Sequence, residues 1–389
     1  MFPERFSTLP EYPFPRLRSL LAGLEPGGEL VSMSIGEPKH DPPSWLAEVI
    51  AENAEGFRRY PPNEGSADLQ GAIAGWIEHR YGAHLDPETE ILPLNGTREG
   101  LFNAGLALGT SGSTVLIPNP FYQAYAAAAL AIGARPVYMA ATAETGFLPD
   151  FESVSDADRD AASMIYFCSP SNPQGAVAEL DDWERLFAFA QACDAWLLVD
   201  ECYSEIYRDA PPIGALEAAA KLGVSRDRIL IFHSLSKRSN LPGLRSGFVA
   251  GPADAIERLK QVRAYGGAPL PLPLQAVATR AWADEEHVAA SRARYQAKYA
   301  MADDALGTLP GYRAPAAGFF LWLPVEDDEA ITRALWSEGG IRVLPGRYLA
   351  REEAGANPGA HYIRVALVPD EDDLSRGLEA IRAKLTTNG

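Results

Sequence analysis

The chain has 389 residues, 47 % of them apolar and 22 % charged, which suits a folded protein with a large buried core. A net charge of −18 argues against general nucleic-acid binding, because phosphate contacts need a basic surface, and it confines any anion site to a local cluster of cations. No apolar run approaches the roughly 18 residues of a spanning helix, and "MFPERFSTLPEYPF" has no apolar signal core, so a cytoplasmic protein with no membrane partner is expected.

Residues 1–30, rich in Pro, Leu and Arg, predict an arm and a short helix. "SADLQGAIAGWIEHRY", from about 66 to 81, sets Leu69, Ile73, Trp76 and Ile77 on one helical face. In "NGTREGLFNAGLAL" a Gly-Thr turn opens an apolar helix, with Thr97 as its expected N-cap. Short apolar runs then recur at 114–118, 135–139, 163–168, 195–200, 229–233 and 246–250. Most are separated by helical patterns such as "LDDWERLFAFAQAC". Runs apolar on both faces, alternating with helices, predict an α/β fold with a mostly parallel sheet flanked by helices. Beyond about 280 a long helical stretch precedes two shorter strands, "GFFLWLPV" and "HYIRVALV", which predict a smaller α+β domain. The expected division is 1–45 as arm and part of the small domain, 46–280 as the large domain, and 281–389 as the rest of the small one. Cys168, Cys193 and Cys202 lack metal or disulfide spacing and read as buried reduced thiols; the scattered histidines form no metal motif.

Ligands in open α/β sheets bind beyond the carboxyl ends of the strands. Three successive runs end there in polar groups: "SMIYFC" leads to Asn172, "AWLLVD" ends at Asp200 with Tyr203 beyond it, and "ILIFH" leads to Ser234, Ser236 and Lys237. Taken singly, a strand-end acid is a common turn former and a lysine is usually exposed. Together they describe one crevice. A lysine forms a Schiff base with an aldehyde. A buried carboxylate keeps a pyridine nitrogen protonated, a phenol and an amide bond a ring oxygen, and hydroxyls, an arginine and a helix N-terminus hold a phosphate. That donor set fits pyridoxal 5′-phosphate (PLP), with "NGTREG" supplying the helix N-terminus at Gly96 and Thr97. On this reading the cations of "HSLSKRSNLPGLRSGF" serve one phosphate and one Schiff base, and their mutual repulsion lowers the lysine's pKa.

The same stretch resembles the Ser-x-Ser-Lys…Gly-x-Arg-x-Gly segment of class I/II, fold-type I PLP-dependent aminotransferases. "NGTREG", "NPFYQAY", "SPSNPQG", "DECYSEIY" and "HYIRVAL" match that family in order and span nearly the whole chain. With "MSIGEPKH", they look most like bacterial N-succinyldiaminopimelate aminotransferases of lysine and diaminopimelate biosynthesis. The resemblance implies transamination of N-succinyl-L,L-diaminopimelate with 2-oxoglutarate/glutamate. Lys237 would carry the cofactor and move the proton, Asp200 would pair with the ring nitrogen, and Asn172 and Tyr203 would bond the ring oxygen. Tyr122 would stack on the ring; Gly96, Thr97, Ser234, Ser236 and Arg245 would hold the phosphate, with Arg98 nearby. Arg364 would fork onto the substrate α-carboxylate, beside Gly36, where a side chain would collide with that carboxylate. Tyr60 would reach the phosphate of a neighbouring subunit, so a homodimer with shared sites is implied. The resemblance also implies cis bonds at Asn119–Pro120 and Asn172–Pro173.

For the distal end of the substrate the residues leave alternatives open. Lys39, Arg58 and Arg59 are candidate grips, yet read equally as solvated surface, and 263–273 offers Tyr265 and backbone amides. An aromatic, alanine or methionine aminotransferase and a C–S lyase are the nearest alternatives. A PLP-binding regulator lacks its basic DNA-binding segment here, and a nicotinamide enzyme lacks its Gly-x-Gly-x-x-Gly turn after a strand.

Overall fold

Strand β1 (Val31–Ser32) is short; the central sheet is made of β2 (Ile91–Leu94), β3 (Thr114–Asn119), β4 (Arg135–Ala140), β5 (Ala162–Cys168), β6 (Trp196–Asp200), β7 (Ile229–Ser234) and β8 (Gly247–Ala250). These belong to a computed structural model that describes residues 6, 7, 9 and 11–387. The sheet order is β2-β8-β7-β6-β5-β3-β4. Strands β4, β3, β5, β6 and β7 run parallel, whereas β8 is antiparallel to both β7 and β2. The mostly parallel sheet is therefore present, and β5, β6 and β7 lie side by side. Strand β2, "ILPL", carries a proline and closes an edge, where a missing N–H costs no ladder bond. Strand β4, at the other edge, is only partly buried, so its run is not apolar on two covered faces.

Helices cover both faces. The helix Ala67–Tyr81 starts at Ser66, whose side chain accepts from the Leu69 amide, and stops at left-handed Gly82. Its Leu69, Ile73, Trp76 and Ile77 are buried, as their spacing requires, in a cluster with Trp183, Phe248 and Trp282. On the opposite face the helix Thr97–Leu108 packs Leu101 and Ala104 against Tyr125, Tyr166 and Phe232. Each buried Phe or Leu in these clusters contributes about 1.5–3 kcal/mol of transfer free energy. Gly96, with φ of 80°, rather than Thr97, is the N-cap of that helix; Thr97 is its first helical residue. Glycine suits that position because L side chains rarely adopt positive φ.

A third apolar cluster joins the helix Glu286–Leu306 to strands β9 (Phe320–Pro324), β10 (Ile341–Arg342) and β12 (Tyr362–Ala366), while Leu344 of β11 (Leu344–Pro345) packs in a smaller cluster with Trp322. Strands β11, β12 and β9 form an antiparallel sheet, and β1 pairs in parallel with β10. Asn119–Pro120 and Asn172–Pro173 are cis, and so is Ser169–Pro170. Among the described residues no helix is long and apolar enough to cross a membrane.

Candidate active site

The carboxyl ends of β5, β6 and β7 open into a cavity of about 260 Å³. Gly36, Thr97, Arg98, Tyr122, Asn172, Asp200, Tyr203, Ser234, Ser236, Lys237, Arg245 and Arg364 all line it. Gly96 lies immediately behind, its missing Cβ leaving room for the Arg245 guanidinium, which would otherwise sit 2.3 Å from that atom. Tyr60 is the exception: it is 100 % exposed and lies outside the cavity.

Asp200 forms the floor. Its Oδ2 accepts from the Tyr125 hydroxyl at 2.8 Å and its Oδ1 from the Cys202 amide at 3.2 Å. Burial pushes its pKa up, against the pull of those bonds and of His233. A buried carboxylate hydrogen-bonded only to neutral donors is under-compensated, and a cationic N–H beside it would restore the balance.

Lys237 lies on the short helix Leu235–Arg238. Its Nζ donates to the Gly36 carbonyl and stands 5.3 Å from the Phe319 ring centroid. Its pKa falls to about 8, first because of burial and then because Arg364 and Arg245 repel it, while Cys202 and Glu37 oppose. Burial, rather than the repulsion expected from the sequence, is thus the main cause. Nor do all the cations of the 233–248 stretch enter the site. Arg238 turns to the other face, bonded to the Ala281 carbonyl at 2.6 Å and to Glu285, and His233 bonds Glu201 at 2.7 Å. Alternation along β7 and one turn of helix sends them there.

At the opposite end stand Gly96, Thr97, Ser234, Ser236 and Arg245, whose amides, hydroxyls and guanidinium could hold an anion. Ser234 Oγ accepts from the Ser236 amide at 3.1 Å, fixing the turn. Arg245 takes a left-handed backbone, φ 56°, and bonds only carbonyls, Pro242 at 2.9 Å and Asn95 at 3.4 Å. Its guanidinium pairs with no carboxylate among the described residues.

Arg364 on β12 is nearly buried. Its Nη1 donates to Asn172 Oδ1 at 3.0 Å and its Nη2 to the Ser34 carbonyl at 2.7 Å, over the face of Phe320 at 4.2 Å. Burial lowers its pKa to about 10, and its Nε has no partner among the described residues. A buried guanidinium held by neutral acceptors is a seat for a carboxylate. At Gly36 an added Cβ would lie 2.4 Å from Phe320 Cζ, so the protein's own packing already requires a glycine there. Tyr203 meets the edges of Phe319 and Phe320. Tyr122 accepts from Arg98 Nε at 2.6 Å.

Sequence reasoning missed several residues that line the cavity. Tyr125 lies three residues after Tyr122 within "NPFYQAY", so helical spacing offered the signal. Cys168 and Cys202 line the cavity rather than filling the core, although burial keeps both thiols protonated. Tyr12 and Phe14, from the arm, and Phe320, from β9, enter through tertiary contacts that no local pattern announces.

The unpaired acid, the lowered lysine, the anion cradle and the carboxylate seat fit PLP, which these residues could hold between Asp200 and the Thr97–Leu108 helix terminus.

Known proteins resemble this chain in sequence and fold. Residues 28–381 match the family model "Aminotransferase class I and II". An aminotransferase of Neisseria meningitidis is 39 % identical with a TM-score of 0.94, covering 98 % of this chain and 99 % of the other. An LL-diaminopimelate aminotransferase of Dehalococcoides mccartyi is 31 % identical over 386 residues, 96 % of each chain. A probable N-succinyldiaminopimelate aminotransferase of Thermus thermophilus is 26 % identical with a TM-score of 0.84, covering 96 % of this chain and 100 % of the other.

Proposed function

The chain belongs to the class I and II aminotransferases, a PLP-dependent family, and we propose that it transfers the amino group of a diaminopimelate-type donor to an oxo acid. The donor we favour is N-succinyl-L,L-diaminopimelate, with 2-oxoglutarate/glutamate as the partner pair, in lysine and diaminopimelate biosynthesis in the cytoplasm. The observation that carries the donor is the cavity's charge: Asp200, on the floor, is the sole acid lining it among the described residues. A free distal ammonium would find no counter-charge there, whereas a distal nitrogen acylated to an amide is neutral. The relatives named for unacylated LL-diaminopimelate favour a second reading, in which that compound is the donor.

The residues have distinct tasks in this proposal. Gly96, Thr97, Ser234, Ser236 and Arg245 hold the phosphate, and Tyr122 covers the ring. Asp200 holds a proton on the ring nitrogen, and Asn172 with Tyr203 bonds the ring oxygen. When bound, PLP supplies an electron-accepting ring next to the substrate Cα–H bond. Arg364 grips the α-carboxylate bidentately and so aims that bond at Lys237. Lys237, with a pKa near 8, has a sizeable neutral fraction in mildly alkaline conditions and takes the Cα proton, then returns one at the other end of the transfer. Phe319 and Phe320 keep water from the two cations.

The proposal includes a homodimer, in which Tyr60 reaches the partner's phosphate. Tyr60 at 100 % and Tyr265 at 96 % are large aromatics left exposed on the single chain, which supports a covering subunit. The proposed division keeps the PLP site within 46–280, with 281–389 and part of 1–45 carrying Arg364 and Gly36 over it; the separate apolar clusters support it.

The test is the absorption spectrum of the PLP-loaded enzyme mixed with each donor in turn, without an oxo acid. Loss of the visible band with N-succinyl-L,L-diaminopimelate at far lower concentration than with LL-diaminopimelate is expected. The reverse preference selects the second reading. Pyruvate and ammonia released without an oxo acid would make the chain a lyase.

A further inference from the structure

We propose that Tyr125 is a positioning residue that holds Asp200 in place for the cofactor's ring nitrogen and joins that anchor to the phosphate anchor through Tyr166. The inference rests on the reading that Asp200 meets the ring nitrogen of PLP.

Tyr125 lies on the helix Ala124–Ala131 and is 1 % exposed. Its hydroxyl donates to Asp200 Oδ2 at 2.8 Å. With Oδ1 accepting from the Cys202 amide, both oxygens are directed, and lone pairs remain for one further donor from the cavity. Rotation of the carboxylate would break both bonds at once. The Tyr125 ring stacks on Tyr166, centroids 4.5 Å apart and planes at 10°. The Tyr166 hydroxyl donates at 2.7 Å to the carbonyl of Leu101, in the helix whose N-terminus forms the anion cradle. The third ring, Tyr122, meets Tyr125 edge-on at 5.8 Å and 86°. One buried brace thus touches the floor, the cradle and the ring cover. A phenol donating to a carboxylate stabilises its ionised form, so removing it raises the acid's proton affinity. The titratable groups facing Asp200 besides Tyr125 are Tyr122, Cys168, Cys202, Tyr203 and His233. The two phenols and two thiols among them stay protonated and neutral near pH 7, and His233 is bonded to Glu201, so the Tyr125 bond is the adjustable contribution at the acid.

Tyr125→Phe, Tyr166→Phe and Asp200→Asn would be compared as purified holoenzymes and as PLP-free proteins titrated with PLP. Expected for Tyr125→Phe is about a tenfold weaker PLP Kd, the size of one hydrogen bond to a charged group. The pH midpoint of the bound cofactor's visible band should also move upward, because a more basic Asp200 draws the proton off the ring nitrogen. Tyr166→Phe, which leaves the bond to Asp200 intact, should leave that midpoint in place and weaken PLP less. In the Asp200→Asn background Tyr125→Phe should add little. If Tyr125→Phe moves neither Kd nor midpoint while Asp200→Asn moves both, the inference falls. If it weakens PLP equally with and without Asp200, its role is merely structural and the inference also falls. If Asp200→Asn itself changes neither quantity, the underlying reading of the site fails instead.

Discussion

Asp200 and Glu201 are adjacent in the chain and live in opposite electrostatic worlds. Among the described residues Asp200 faces the cavity with neutral donors only, whereas Glu201, also buried, accepts from His233 at 2.7 Å, Tyr81 at 2.9 Å and the Ala215 amide at 2.6 Å. The pattern repeats on the next strand and turn. Lys237 and Ser234 face the cavity; Arg238 and His233 face the other side, where Arg238 is bonded and covered by Trp76 and Trp282. Beyond them Glu205 is clamped by Arg80 at 2.8 Å and Arg292 at 3.1 Å. The back of the sheet end closes its charges on one another. Among the described residues the front leaves an acid, a lysine and two arginines without ionic partners, which is the state of a site waiting for a charged ligand.

The difference can be broken from either side. Lys237→Ala removes the proposed proton carrier of the front face and should lower transamination by at least about 10⁴-fold with the fold intact, measured by single-turnover absorbance. Glu205→Gln removes a back-face charge and should do the opposite: cost about 3 kcal/mol of stability, since it strands Arg80 and Arg292, while the rate of the folded enzyme changes little. Urea titration with a rate assay below the transition checks both. The same clamp has a pH signature. Burial opposes ionisation of Glu205, but Arg80, Arg238 and Arg292 outweigh it and hold its pKa below the ordinary 4.5. Its stabilisation is therefore complete above about pH 4.5 and is lost as pH falls through the lowered value, and Glu205→Gln should flatten that part of the stability curve.

Arg364→Ala empties the carboxylate seat and should raise the donor KM about 30-fold, with little change in PLP Kd. An equal loss of PLP affinity would mean that Arg364 serves the cofactor rather than the substrate. The smallest effect is kinetic. Capture of PLP by the cofactor-free protein should quicken as pH rises and level off above about 8, where the Lys237 amine is neutral. A profile rising to pH 10 would show that Lys237 is not desolvated.

Much of the front face was legible because strand ends advertise their chemistry. Each of Asn172, Asp200 and Lys237 follows a readable apolar run, and parallel neighbours bring the three ends together. The edge strand β2 was harder, being four residues long with a proline inside, whereas the β4 run was readable although only partly buried. The partition between faces was not legible at all. "HSLSKR" looks like one basic cluster, and only the tertiary partners of His233 and Arg238 reveal that half of it belongs to the core. Gly36 carries the same lesson, since its neighbour Phe320 is hundreds of residues away.

The most direct measurement is borohydride reduction of the PLP-loaded protein followed by peptide mass mapping. A single modified peptide with the cofactor's mass on Lys237 is expected. Label on another lysine, or none on protein that has bound PLP, would contradict it.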